Sequence, residues 1–571
     1  MTVKTENNLN LLSRDYQIPL WGYGIVIYLA SLLYTGYYYF VANQCLQVPL
    51  IYYLNDPTIY PHDPFAQTLP FYASMLWRIV AWLHLVVPIK PLLLVLFLME
   101  RGLVLYAAAK LALALSNYSR LAAVAAMVMF SLVPQPILGN GTIVQIYFEQ
   151  TGLSIPFILL AMTSFFLNRP YFWAFWLGIA FDMNSLYGAH AIGYFGLAMV
   201  IFPQYRKEWK HWLPAIGLFL MVAFPAIILT LLAFLRESPD SQAWVIANQV
   251  RSLHHLFPLL WGKKVFITFF SLMGITVLLF FDQRKENPQL FRLGLVWAGA
   301  ALIWLGYAVV GSAVFKSPSM IIMQPARATD FWYAFSGTAL IAIAAMRIES
   351  VDQDKKLPAI ALLAATFLWR PLILPFILPV LVLLLWRPIW NTILLNASTK
   401  RLSLVLTALM LLIGLYTAQG RVRSGEGGLI INNPDRQVTS IAEWAERNTP
   451  RDAVFLLNPE TRWGNFRVMS KRPVFVTWKD GSALLWDRSY TDTWIERLNA
   501  LGYDITEGLQ MRSNRDEKMD EHYRAIDDAG VKKLQGRYKL DYRVVDKDQE
   551  SLYPVVFETR DFKVLDIRST E

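Results

Sequence analysis

The feature that most constrains this chain is a succession of apolar runs, each close to the length that crosses a bilayer. They fall at roughly 18–41, 90–114, 120–138, 152–168, 171–187, 190–203, 212–235, 264–281, 293–315, 331–346, 357–369, 371–387 and 402–418. A spanning helix needs about 20 apolar residues, because lipid leaves every backbone N–H and C=O to be satisfied within the segment. A soluble fold has no use for about thirteen such runs, so the expected fold is a polytopic α-helical membrane protein. The run at 18–41 is too long for a signal-peptide core and reads as a retained anchor. The pair at 357–387 is broken at Trp369-Arg370-Pro371 and reads equally as one kinked or re-entrant unit.

Charge gives the runs a direction. The net charge is +10, yet residues 421–571 hold 25 Lys+Arg against 26 Asp+Glu, leaving 27 and 16 for the first 420 residues. A basic membrane region with a neutral tail is the pattern of the positive-inside rule, not of nucleic-acid binding. There is no interleaved basic and aromatic pattern and no Gly-rich phosphate loop. Alternating the spans brings Arg120, Arg169, Arg206-Lys207 with Lys210, Arg284-Lys285, Lys355-Lys356 and Lys400-Arg401 to one face, expected to be cytoplasmic with the N-terminus. An odd number of spans then puts the tail on the opposite, extracytoplasmic side. The same side receives the loop at 43–89, Glu149, and the loops at 236–263 and 316–330.

The expected organisation is a transmembrane region at 1–419, a linker at 420–437 and a soluble α/β domain at 438–571. Gly420 to Gly428 is rich in Gly, Arg and Ser. An amphipathic helix follows at Ser440–Arg447, with Ile441, Trp444 and Ala445 on one side. Strands are expected at Ala453–Leu457, Pro473–Trp478, 541–545, 553–558 and 562–567, with helices near 488–502 and 519–530. The single cysteine, Cys45, excludes an internal disulfide and a cysteine metal cluster.

The first outer loop carries Asn55-Asp56-Pro57-Thr58-Ile59-Tyr60-Pro61-His62-Asp63-Pro64-Phe65. Acids beside a bilayer are costly unless they face water, a partner or a substrate. The prolines stiffen the loop, and Asp56 and Asp63 each precede one, so both could simply cap turns.

Paired acids after the first span, about thirteen spans and an outer α/β tail together resemble the GT-C superfamily of membrane glycosyltransferases. More closely, Asn55-Asp56-Pro57 with His62-Asp63-Pro64-Phe65, Gln324-Pro325-Ala326-Arg327 and the segment from Phe466 to Val476 are similar to a bacterial family of GT-C type. The resemblance implies an inverting transfer of a sugar from a polyprenyl-(di)phosphate carrier to a glycan, lipid or protein acceptor. It implies the outer face of the bacterial inner (plasma) membrane as the place. Asp56 lies about where the superfamily has its base, with Asp63 as the alternative base or a second acid.

Other outer-side residues fit the same chemistry. Glu149 would orient the acceptor or help hold a metal, or else is a solvated interfacial carboxylate. Asp182 and His190 bracket Met183–Ala189 at a span end, where an acid lines a cavity and a histidine can serve as an interfacial hydrogen-bonding group. Arg327 has the planar fork for phosphate, although a pair with Asp330 or snorkelling also accounts for it. Lys316 and Arg251, the latter followed by His254 and His255, are further cation candidates. A divalent cation, Mg or Mn, would be accepted by Asp56, Asp63 and Glu149 if they converged. In the tail, Asn458–Asn465 and Trp478-Lys479-Asp480 sit at strand ends, where α/β domains place ligands; packing of the domain on the membrane part accounts for them equally.

Two other function classes fit the same spans. A transporter or flippase for lipid-linked glycans needs ionisable residues in mid-span and internal symmetry, but the spans are nearly uncharged apart from Glu100-Arg101 and Arg370. A non-catalytic scaffold of an envelope polysaccharide complex would keep the frame without using the acids.

Overall fold

The structure, a computed structural model, describes residues 19–132, 144–235, 241–350, 353–367, 399–424, 429–430, 435–506 and 514–568, together with Leu138. Every apolar run contains a helix except 371–387, which lies outside the described residues. Among the described residues six helices are long and apolar enough to cross a membrane: Ile89–Leu115, Trp209–Ala233, Lys263–Asp282, Pro288–Val314, Pro318–Glu349 and Lys400–Arg423. Shorter apolar helices are Leu20–Thr35, Arg120–Ser131, Gln150–Phe166 and Ser185–Ile201. About thirteen full spans is therefore more than the described helices show by length. The reason is local. Pro170 opens one helix at its first position, where its missing N–H costs nothing. Asn184 closes that helix and caps the next, its side chain accepting from the Tyr187 N–H. The apolar stretch from 150 to 201 is thereby cut into three short helices.

The centre of the bundle is built on alanine. Arg120–Leu132 is buried along Leu121 to Phe130 and packs against Leu20–Thr35, Ile89–Leu115, Thr329–Glu349 and Thr399–Arg423. Small side chains let helix axes approach where the hydrophobic effect supplies no drive between helices. The peripheral helices keep apolar residues turned outward, among them Met221, Phe224, Leu278 and Leu412.

Polar contacts divide the bundle into two ends. One end joins Asn168 to Glu208, Ser119 to Glu349 and Arg347 to Asp282. The other gathers the loop at 43–89, the segments 144–150, 251–262 and 316–328, and the tail. This division is the one that the basic clusters anticipate.

The tail carries a four-stranded sheet in the order Phe455–Leu456, Tyr542–Asp546, Phe562–Asp566, Val555–Glu558. The first pair is parallel and the others antiparallel, with Tyr542 opposite Asp566 and Val544 opposite Val564. Arg436–Asn448 covers one face with Val438, Ile441, Ala442 and Ala445. The segment at Pro473–Trp478 is no strand beyond a single bridge, Val474 to Phe455. Thr477 and Asp480 form a capping box that starts a 3-10 helix, Trp478–Leu485. The helix expected at 519–530 is two, Arg515–Arg524 and Asp528–Gln535, because the Asp527 side chain caps the second.

The tail is bound to the membrane end by both backbone and core. Tyr37–Tyr38, just past the first helix, pairs in parallel with Leu429–Ile430. Phe65, Trp77 and Trp244 share one apolar cluster with Trp478, Leu484 and Trp494, and the Trp244 indole donates to the Leu484 carbonyl at 2.9 Å.

Candidate functional site

The two acids of the first loop have different environments, and neither lines the main cavity. Asp63 is 1% exposed and Arg467 of the tail, also 1% exposed, donates to it from Nε at 2.7 Å. The same guanidinium donates from Nη1 to Asp480 at 2.8 Å and from Nη2 at 3.0 Å, and it stacks 4.6 Å from the Phe65 ring. The Val474 and Phe65 N–H groups complete the shell of Asp63. A carboxylate with this many donors is a clamp between loop and tail. Asp56 is half-exposed; Thr58 donates to it from N–H at 3.0 Å and from its hydroxyl at 2.6 Å. Those bonds hold its carboxyl below the usual range. It lies in a separate recess beside Arg451, with 3.4 Å between Arg451 Nη2 and Asp56 Oδ2. The turn-capping reading therefore describes the geometry of both.

The main cavity, about 680 Å³, lies where the loops of the gathered end meet the tail. Its walls come mostly from seven segments: Asn43–Gln47, Phe71–Ala73, Gln145–Thr151, Phe181–Ala189, Arg251–His255, Ile322–Asp330 and Lys479–Arg488. Glu149 is its best placed acid. It immediately precedes the Gln150–Phe166 helix and is 3% exposed. Asn43 Nδ2 donates to it at 3.0 Å and the Tyr147 hydroxyl at 3.2 Å, both to Oε2. Among the described residues Oε1 accepts no hydrogen bond. Behind it, buried Glu100 packs against Gly152, where a Cβ would collide with the carboxylate. Buried Arg101 donates to the Gln145 carbonyl at 2.8 Å and fixes the segment leading to Glu149.

Three cations share the cavity lining with this acid. Arg327 follows Gln324, which takes a left-handed backbone (φ 45°), and Pro325, so a short 3-10 turn presents the guanidinium. Its donors go to neutral groups, the Gln324 side-chain oxygen at 3.2 Å and the Tyr187 hydroxyl at 3.0 Å, and the ring of Tyr187 lies 4.9 Å away. Tyr187 in turn donates to buried Asp330, whose Oδ1 has no partner among the described residues. The expected Arg327–Asp330 relation thus runs through a tyrosine. Lys479 donates to Asn43 Oδ1 at 2.9 Å; burial, then the nearby Arg251, bring its pKa down to about 8. Arg251 donates to the Trp478 carbonyl at 3.0 Å and the Ser482 hydroxyl at 2.6 Å. His254 and His255, their rings tilted with centroids 3.9 Å apart, line the wall, and burial followed by Arg251 pushes His254 down to about 4. It is neutral at physiological pH.

The remaining nominated residues fall outside the lining. Lys316 is exposed and contributes nothing to the cavity wall. His190 is fully buried behind it, its Nε2 2.7 Å from the Met323 carbonyl. Asp182 accepts from the Ala226 N–H, next to Pro225 inside the continuous Trp209–Phe234 helix. Asp56, Asp63 and Glu149 do not converge, and among the described residues no three His, Cys, Asp or Glu side chains are grouped to hold a metal.

A family model described as a domain of unknown function, DUF6798, matches residues 436–501, the first half of the tail. No curated protein matches the chain. Among solved structures it is similar to an oligosaccharyltransferase of Archaeoglobus fulgidus, with 11% identity and TM-score 0.42 over 92% of this chain and 69% of that one. It is similar to arabinofuranosyltransferase AftD from Mycobacteria, with 13% identity and TM-score 0.43 over 93% of this chain and 35% of that one. ArnT from Cupriavidus metallidurans, bound to undecaprenyl phosphate, gives 11% identity and TM-score 0.38 over 96% and 98%.

Tyr187 and Asn43 are cavity residues outside the sequence nominations, and Lys479 enters those only within Trp478-Lys479-Asp480. Lys479 carried a signal, since Trp478-Lys479-Asp480 stands where a strand was expected to end. Asn43 is followed by Gln44 and Gln47 in an otherwise apolar segment, and such isolated amides mark a cavity wall. Tyr187 had no signal of its own among 27 tyrosines.

Proposed function

We propose that this protein is a membrane glycosyltransferase of GT-C type, moving a sugar from a polyprenyl-(di)phosphate carrier to an acceptor on the extracytoplasmic face. One observation carries the reading. A single cavity at the junction of membrane helices and tail combines a carboxylate oxygen that accepts no hydrogen bond from the described residues with the cations Arg327, Lys479 and Arg251 in its lining. The resemblance of the loop motifs to GT-C sequences supports it.

In this reading Glu149, not Asp56, takes the proton of the acceptor hydroxyl. The hydroxyl oxygen then bonds to the anomeric carbon from the face opposite the phosphate, and the bond from carbon to phosphate oxygen breaks. The carrier phosphate leaves with the electron pair and its charge is held by Arg327, Lys479 and Arg251. A positioned base typically supplies about 10²–10⁴-fold, and fixed cations act where negative charge develops. Asp330 and Tyr187 hold the Arg327 fork in place.

The test is mass spectrometry of the purified full-length protein together with its Glu149→Gln variant. A polyprenyl phosphate or its sugar conjugate should co-purify with both. Transfer in membranes containing the variant should drop by ~10²-fold or more. A bound water-soluble solute with no prenyl lipid would replace this reading with a transporter.

A further inference from the structure

A second recess, about 540 Å³, lies between the first outer loop and the tail and shares no lining residue with the main cavity. Three elements distant in sequence bring cations to it. Lys90 stands at the second position of the 27-residue helix Ile89–Leu115. Arg451 follows the Arg436–Asn448 helix of the tail, and Lys471 sits in a left-handed turn (φ 52°) that ends Phe466–Ser470. His84 joins them from the end of the Met75–His84 helix. Two carboxylates answer these charges at the rim: Asp56 lies 3.4 Å from Arg451, and Glu446 accepts from Lys471 at 2.7 Å. Among the described residues that line the recess, the cations Lys90, Arg451 and Lys471 stand with one carboxylate, Asp56.

The level of the recess is set by its own walls. Lys90 begins a helix of spanning length, so the recess opens at the depth where headgroups lie. The residues just before that helix, Trp82, Leu85 and Val86, are 68%, 66% and 86% exposed, which suits an interface and not bulk water. The floor then runs on into hydrocarbon. Pro91 lines the recess, and Val95 and Met99 follow it at intervals of four on the same helix face, 52% and 56% exposed. Cations above and an uncovered apolar stripe directly below describe the two ends of an amphiphile.

We infer that this recess binds a membrane lipid with an anionic phosphate headgroup, its tail lying along Val95 and Met99, at a site separate from the main cavity. Free inorganic phosphate offers the same charge but no tail, and the stripe would then be idle.

The full-length protein in detergent, titrated by native mass spectrometry, tests this with three probes: dioleoyl phosphatidylglycerol, dioleoyl phosphatidylcholine and inorganic phosphate. Phosphatidylglycerol should bind at least tenfold more tightly than phosphatidylcholine. It should lose roughly tenfold or more in the Lys90→Gln, Arg451→Gln, Lys471→Gln triple variant, since each cation near a lipid headgroup contributes. Val95→Asn with Met99→Asn should weaken it while leaving the headgroup cations intact. Arg327→Gln, in the main cavity, should leave it unchanged. Equal binding of the two lipids, displacement by excess phosphate, or an unaffected triple variant would overturn the inference. So would loss of binding in Arg327→Gln, which would move the lipid to the main cavity. Thermal unfolding checks each variant, and if the triple variant melts early the single Lys90→Gln change takes its place.

Discussion

Two buried aspartate–arginine groups can be compared side by side in this molecule. In Asp63–Arg467–Asp480 the guanidinium spends its donors on two carboxylates, and all three side chains are 1% exposed. In Asp330–Tyr187–Arg327 the guanidinium donates, among the described residues, to a hydroxyl and an amide oxygen, and it lines the cavity. The first group is complete in its hydrogen bonds, each guanidinium nitrogen donating to a carboxylate. The second has a cation with neutral partners and an acid held one residue away, so an incoming anion finds a charge that is positioned but not neutralised. An arginine's partners, more than its burial, tell structure from chemistry.

The largest break in this comparison should come from the complete group. Arg467→Ala leaves two buried carboxylates without their counter-ion and should cost about 3–5 kcal/mol, read as an early melt in detergent and rapid proteolysis at the loop–tail junction. Arg327→Gln keeps a hydrogen-bonding side chain and should melt normally. It should lose roughly 1.5–3 kcal/mol of binding to polyprenyl phosphate, as expected for charge-assisted bonds, measured by a lipid titration. A large loss of stability there would erase the distinction between the two groups.

Lys479 sharpens the chemical side through pH. Its folded pKa is about 8, lowered by burial and then by Arg251. The cation is present below that value, so affinity for polyprenyl phosphate should hold at neutral pH and fall as pH rises past 8. Lys479→Met should weaken binding and abolish that fall, whereas Lys479→Arg should extend binding to higher pH. His254 stays neutral above about 4 and should add no step near pH 6.5. The smallest effect is expected for Asp56→Asn. Its carboxylate is half-exposed and its ion pair with Arg451 is a surface pair, so the cost should be within about 1 kcal/mol, with transfer little changed.

Much of the fold was legible because it rests on period and length. Apolar runs locate the helices, and the Lys/Arg bias sorts loops into the two ends seen in the structure. The tail strands at Tyr542–Asp546, Val555–Glu558 and Phe562–Asp566 stand close to the ranges expected at 541–545, 553–558 and 562–567. Pro473–Trp478 looked like a strand because its residues are apolar and β-branched, but a capping box at Thr477 outweighed that local preference. The site was less legible. Asp56 and Asp63 advertise themselves by sitting among prolines, yet the partner that decides the fate of Asp63 is 404 residues away. Glu149 and Arg327 were visible as outer-side charges. Their meeting around one space, and the arrival of Lys479 from the tail, depend on long-range packing that no local window contains.

That separation also bears on how the chain is made. Synthesis at about 5–20 residues per second puts some 20–80 seconds between the emergence of Asp63 and that of Arg467. Throughout that interval the first outer loop holds an acid whose counter-ion does not yet exist, and Tyr37–Tyr38 waits equally for Leu429–Ile430. The membrane helices can be inserted long before their first loop has anything to close against. A chain that stops short of the tail would carry its apolar spans but leave that loop open to proteases, so the last quarter of the sequence acts as the proof that the first part has been completed.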